Sequence, residues 1–264
     1  MKKELYFALY AIKKNIQGSA ELRTSFLMNV VGMVINNTSF IILWVFFVDS
    51  VGVIGGWTAA DIVGLQGFSA LSYGVVFSAA AGLRKLPDYA ASGAFDRFML
   101  SPKNLLLRVA TSSFNASAVG DIVFGAACLT IYGFLIHLGL YQILMVFVLL
   151  FLATITLLAM TIIIYSTSFF FVDAGAVTTG IFELFFTPTL FHGGAFQGAM
   201  RFIFTFLVPS LLIGALPVEA VKYISFQKPG VIAVLALIWF GLSIKVFDFA
   251  IRKYESSNFM TFGN

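Results

Sequence analysis

The sequence predicts an all-α membrane protein with six transmembrane helices, an amphipathic amino-terminal elbow helix and a re-entrant element between spans five and six. Three observations predict it. Of 264 residues, 60% are apolar and only 11% are charged, which is more apolar surface than one or two soluble domains can bury. Apolar runs of roughly 20 residues, the length that crosses a hydrocarbon core as a helix, recur between connections bearing charge, Pro or Gly. The basic residues flank those runs unevenly, and that unevenness orients them.

Residues 2–17, KKELYFALYAIKKNIQ, place Leu5, Ala8, Leu9, Ile12 and Ile16 on one stripe at helical spacing, with Lys3, Lys14 and Gln17 roughly opposite. A helix of that kind lies on a membrane, as an anchor to anionic headgroups or as a mechanical elbow against a partner. The first long apolar run begins only near Phe26, so nothing resembles a cleaved signal peptide and the amino terminus is expected to be retained. Spans are expected at about 26–48, 62–82, 109–136, 143–170 and 230–251, with a shorter one at about 176–191 that ends in Pro188 and Gly193-Gly194. The intervening run 202–217, FIFTFLVPSLLIGALP, is 16 residues long and broken by Pro209, which favours a re-entrant or interfacial element over a crossing. The expected organisation is one transmembrane domain over 1–264: an interfacial helix at 1–20, a six-span bundle at 26–251 and a cytoplasmic tail at 252–264.

Charge decides the parity. With six spans and the amino terminus inside, thirteen basic residues fall inside, from Lys2 and Lys3 to Arg252 and Lys253, and only Arg201, Lys222 and Lys228 fall outside. Counting 202–217 as a seventh span would move Lys245, Arg252 and Lys253 outward and weaken that asymmetry. Both termini are therefore expected in the cytoplasm. The same distribution argues against nucleic acid, because the formal charge of +4 is spread along span ends rather than gathered into a patch. Cys128 is the single cysteine and lies in an apolar stretch, so no internal disulfide forms. His137 and His192 are far apart and lack neighbouring ligands, so no metal site is expected. No phosphate-binding GxxxxGK[ST] loop is present, and no Ser–His–Asp or paired-acid arrangement has a water-accessible platform. The chain is not expected to be an enzyme.

Four features carry functional expectations. The inner loop 83–108 has helix punctuation: Pro87 suits a first turn, Asp88 complements its positive end, Gly93 can end it, and Asp96-Arg97 leads to Pro102. A short helix on the membrane face suits docking to a motor subunit, and a solvated connector is the plain alternative. In the second span Ala70, Gly74, Ser78 and Gly82 recur every four residues, which lets a neighbouring helix approach closely. Asp121 and Glu183 are the carboxylates nearest the membrane interior, costly enough there to suggest function, though hydrogen bonding to Thr or Asn across helices is the alternative. The cluster Asn36-Asn37-Thr38-Ser39 reads either as interhelical glue or as part of a substrate path.

The segment SGAFDRFMLSPKN (92–104), after a second span and the basic pair Arg84-Lys85, resembles the inner loop of the ABC-2 family of transporter permeases, in particular its compact six-span bacterial branch. Pro188, Arg201, Pro209 and Pro217 follow in the order seen in that branch, and with the amphipathic amino terminus the similarity covers essentially the whole chain. The chain departs from the pattern at Ser101, which stands before Pro102 where the pattern has a basic residue. The resemblance implies a permease subunit of an ATP-binding cassette exporter in the bacterial inner membrane, moving a hydrophobic or amphipathic substrate. It also implies a second permease copy or paralogue and a cytoplasmic ATPase subunit that binds ATP and Mg. Lys13, Lys14, Arg84, Lys85, Asp88, Gly93, Asp96, Arg97 and Pro102 are then candidates for ATPase coupling. Asn36, Asn37, Phe68, Asp121, Phe182, Glu183 and Phe186 are candidates for the translocation path, with the Phe residues as an apolar gate or simply lipid-facing. The rival readings are an ion-gradient-driven secondary transporter using Asp121 and Glu183, and a membrane scaffold without transport.

Overall fold

The computed structural model describes residues 2–52, 55–171 and 174–254, so most of the tail expected at 252–264 lies outside the described residues. Among the described residues the chain is helical throughout its regular structure. The helices are α1 Lys2–Glu21, α2 Arg23–Val51, α3 Ala59–Ala79, α4 Leu86–Ala91, α5 Asp96–Met99, α6 Leu105–Ala110, α7 Ser117–Leu135, α8 Leu140–Ser166, α9 Gly175–Phe186, α10 Gly198–Phe202, α11 Ala215–Lys222 and α12 Gln227–Ile251. Five stretches are long and apolar enough to cross a membrane: Arg23–Val48, Ala59–Ala79, Ser117–Leu135, Leu140–Phe169 and Gln227–Ile251. Their outward faces carry large apolar side chains such as Phe46, Phe134, Phe147 and Leu237, all more than half exposed, a surface suited to lipid and not to water.

Local chemistry sets the helix ends. Thr58 caps α3 through a reciprocal box in which its hydroxyl accepts from Asp61 N–H while Asp61 accepts from Thr58 N–H. Gly93, at φ +68°, closes α4 in the left-handed region that glycine enters without strain. The third span begins at Ser117, not at the expected 109. Asn115 accepts from both the amide and the hydroxyl of Ser117, a local alternative to helix that separates α6 from α7.

The expected fifth span is also shorter than a full helix. α9 has 12 residues, about 18 Å of rise, and continues as a 3₁₀ turn over Thr187–Leu190 that contains Pro188. The run 202–217 is not one element: a π-turn at Ile203–Leu207 and a 3₁₀ turn at Ser210–Leu212 flank Pro209, and α11 follows. Pro217, expected to break this run, sits in the first turn of α11, where the missing N–H costs nothing.

The packing begins with α3 against α7. A Cβ at Gly74 would stand 2.7 Å from the Ala118 carbonyl oxygen, and one at Gly67 would stand 2.8 Å from Leu129, so the small residues of α3 admit the α7 backbone. α8 packs along α12, and both run in the same direction: Gln142 near the start of α8 donates to the Val221 carbonyl at the end of α11, while Phe169 past the end of α8 meets Phe247 near the end of α12 at 6.4 Å. The bundle thus has two ends with separate cores. One contains Trp57, Leu65, Tyr132, Leu149 and Val221; the other contains Phe77, Leu83, Phe95, Val109 and Phe247. Between α9 and α11 the chain travels from the second end to the first, where the His192 ring lies 6.2 Å from Trp57. It then dips back until the Ser210 hydroxyl donates to the Phe185 carbonyl, and it returns through α11 to Asp61.

Candidate functional site

A slot of about 360 Å³ opens between α2 on one side and α9 on the other, floored by α3 and α7. Four of its polar residues come from four helices: Asn37 from α2, Gln66 from α3, Asp121 from α7 and Glu183 from α9. Asn36, Phe40, Tyr73, Phe182 and Phe186 complete most of the lining. Asp121 is only 4% exposed; its Oδ1 accepts from Asn37 Nδ2 at 2.7 Å, and its Oδ2 has no partner. Glu183 is exposed on the open side of the slot and makes no hydrogen bond or ion pair among the described residues. Phe182 stacks on Phe186 with ring centroids 5.9 Å apart and meets Phe77 edge-on at 5.7 Å, so the α9 wall of the slot is aromatic.

The slot therefore gathers Asn36, Asn37, Asp121, Phe182, Glu183 and Phe186 from the expected path residues. Phe68 is apart from them: it is fully buried in the core at the Trp57 end and does not line the slot. Arg84 is the other departure. Expected on the cytoplasmic loop, it lies in the 3₁₀ turn Ala81–Lys85 and turns inward to the slot. Its Nη1 donates to the Tyr73 hydroxyl at 2.9 Å, and its guanidinium lies over Phe77 and Phe182 at 5.1 and 5.7 Å.

The remaining loop residues face out. Lys85, Asp88, Arg97 and Pro102 are exposed, Asp96 is half-buried at the start of α5, and Gly93 is buried in its turn. Lys13 and Lys14 are exposed on α1. That helix is tied to the loop: Glu4 accepts from Asn104 N–H at 3.2 Å, Lys103 lies 3.9 Å over the Phe7 ring, and Asn15 donates to the Thr111 carbonyl at 2.8 Å.

A second polar cluster, at the opposite end of the bundle, was not anticipated. Lys222 donates to Asp61 and to the Gly56 carbonyl, both at 2.6 Å, while Arg201 and Lys228 converge on one Glu219 oxygen at 2.6 and 2.7 Å. The three basic residues counted on that side are thus all paired. Only the Thr58-x-x-Asp61 capping signature was visible in the sequence. His192 lies beside this cluster, and burial pulls its pKa below the ordinary 6.5.

A helical bundle sheathed in apolar side chains and enclosing a polar slot is a multi-pass membrane protein with the build of a permease. Residues 33–258 match the family described as ABC-2 family transporter protein, and the chain belongs to that family. Membership makes it a membrane component of an ABC transporter system. No curated protein and no solved structure matches the chain.

Proposed function

We propose that the chain is the permease subunit of an ATP-driven exporter in the bacterial inner membrane, moving a hydrophobic or amphipathic substrate with ATP and Mg bound on a separate cytoplasmic ATPase. In this reading the chain crosses six times with both termini cytoplasmic. α9 with its 3₁₀ extension is the fifth crossing, α10 to α11 is the re-entrant element on the outer side, and α1 is the elbow. The exposed Glu183 and Asn36 then face a second permease copy or a paralogue, since a carboxylate left against lipid costs a few kcal/mol.

The observation that carries the reading is the mechanical link between the cytoplasmic elements and the slot. α1 is bonded to Asn104 and Thr111 of the inner loop, and Arg84 at the start of that loop reaches into the slot. A push on the loop by an ATPase would move α1 and Arg84 together.

The test is purification of the complex expressed with its ATPase, followed by nucleotide-dependent transport in vesicles. Reversal of exposed Lys85 and Arg97 to Glu, and removal of the α1 ties in an E4A/N15A double variant, are expected to cut substrate-stimulated ATP hydrolysis several-fold while the permease still assembles. Transport that persists without nucleotide and disappears in D121N or E183Q would establish the ion-gradient reading instead. Unchanged coupling in the Lys85 and Arg97 reversals would remove the loop from the mechanism.

A further inference from the structure

We propose that the slot is a binding site for the protonated amine of a cationic amphiphile, with Asp121 as its counter-ion; the proposal rests on the slot being open to substrate. Asp121 is 96% removed from solvent by its 4% exposure, and only one of its two oxygens is satisfied. The other, Oδ2, is buried without a donor. A carboxylate in this position carries an uncompensated desolvation cost, and a hydrogen-bond donor, above all a charged one, relieves it.

Among the described residues none supplies that donor. Arg84, the cation of the slot, spends its Nη1 on the Tyr73 hydroxyl and lies against the faces of Phe77 and Phe182, without an ion pair to Asp121. Glu183 adds a second carboxylate to the lining without a cation of its own, so the slot holds two acids against one base. The net charge favours a positive guest. The aromatic wall of Phe182 and Phe186, with Phe40 opposite on α2, offers ring faces to an ammonium and apolar surface to the chain attached to it. A volume of about 360 Å³ is at the small end of ligand pockets, which fits a head group and the first part of a tail.

An alkyl phosphate is the opposite chemistry. It would lie near two carboxylates with only Arg84 to offset them, so it is expected to bind poorly.

The test uses the full chain in phosphatidylcholine nanodiscs, which carry no net charge to attract amines, titrated calorimetrically at pH 7 with octylamine, octanol and octyl phosphate against empty discs. The expected result is saturable binding of octylamine near one per chain, no saturable octanol binding, and at least a tenfold loss of octylamine affinity in D121N. The octylamine-to-octanol comparison in the unaltered protein stands even if D121N does not fold. Equal binding of octylamine and octanol, unchanged amine affinity in folded D121N, or preferred binding of octyl phosphate that disappears in R84Q would each overturn the proposal. Loss of nucleotide-dependent transport is a separate readout: a complex that couples ATP hydrolysis normally yet ignores octylamine refutes the amine site and leaves the permease reading standing.

Discussion

Asn in place of Asp61 removes one charge and little else, which makes it the sharpest probe of the ion-pair cluster at the Trp57 end of the bundle. Asp61 Oδ2 accepts from Thr58 N–H, from the Thr58 hydroxyl and from Lys222 Nζ at 2.8, 2.8 and 2.6 Å. An Asn amide oxygen still accepts from Thr58, so the capping of α3 survives and the measured loss reports the pairing with Lys222. A hydrogen bond to a charged group contributes about 1.5–3 kcal/mol. The Asp61 side chain is 2% exposed but that of Lys222 is 26% exposed, so solvent screens the ammonium and D61N is expected to cost about 2 kcal/mol, toward the lower part of that range. D61A keeps the backbone N–H that Thr58 caps but also loses the side-chain half of the capping box, and is expected to cost about 1 kcal/mol more. K222M leaves a nearly fully buried carboxylate without its cation and also loses the bond to the Gly56 carbonyl, so it should cost more than D61N. The assay is reversible unfolding in mixed detergent micelles followed by tryptophan fluorescence, with Trp57 in the core beside the cluster. A D61N/K222M double-mutant cycle should return a coupling of at least about 1 kcal/mol, as expected for partners in contact. Additive losses, with coupling below about 0.5 kcal/mol, would refute the claim that the pair ties α3 to α11.

Three further outcomes follow from the geometry. G74A puts a methyl group 2.7 Å from the Ala118 carbonyl and the Ile122 backbone of α7, and overpacking of this kind is expected to destabilise the bundle by about 1–3 kcal/mol in the same unfolding assay. His192, with its pKa held below 6.5 by burial, binds fewer protons folded than unfolded as pH falls through that value, so its share of stability is complete above 6.5 and is lost on acidification. The difference in melting temperature between the unaltered protein and H192N should accordingly change between pH 7.5 and 5.5, with the His protein losing more. R84K keeps the charge but loses the planar group that lies over Phe77 and Phe182, and substrate-stimulated ATPase activity of the assembled complex is expected to fall several-fold while melting changes by only a few degrees.

The long spans were legible because hydropathy over about 20 residues reports a property of each segment alone. The break before α7 was not. The segment Thr111–Ala116, TSSFNA, is itself mostly polar but short, so a window of about 20 residues averages it into the apolar run that follows, and the contact that separates α6 from α7, the Asn115 side chain accepting from Ser117, involves only two residues. The fifth stretch shows the same limit: its composition is apolar over 176–191, yet Pro188 turns the last residues into a 3₁₀ turn and leaves α9 with 12 residues of α-helix. In the slot, Asn36, Asn37, Asp121 and Glu183 stood out because polar groups in apolar runs are conspicuous. Gln66 and Tyr73 were passed over, since which face of α3 meets the slot depends on how α7 seats against its glycines. The place of Phe68 was hidden for the complementary reason. An aromatic residue on a membrane helix reads alike whether it faces a slot, a lipid or a core, and only the packing of α3 against its neighbours assigns Phe68 to the core. The ion pairs at the Trp57 end join Glu219 to Arg201 across the π-turn and Pro209, and to Lys228 across the connection between α11 and α12, so nothing in the spacing of those charges marks them as partners.

Arg84 joins the two halves of the functional argument. On its amino-terminal side, α3 carries Tyr73 and Phe77, the residues that hold its guanidinium. On its carboxy-terminal side, the loop runs through α4 and α5 to Asn104 and Thr111, where α1 is bonded. Rotation of the loop therefore cannot leave Arg84 in place without stretching the 3₁₀ turn that contains it, and moving Arg84 disturbs Phe182 on the opposite wall of the slot. Exposed loop charges and buried slot residues thus belong to one connected path, which runs from α1 to the aromatic face of α9.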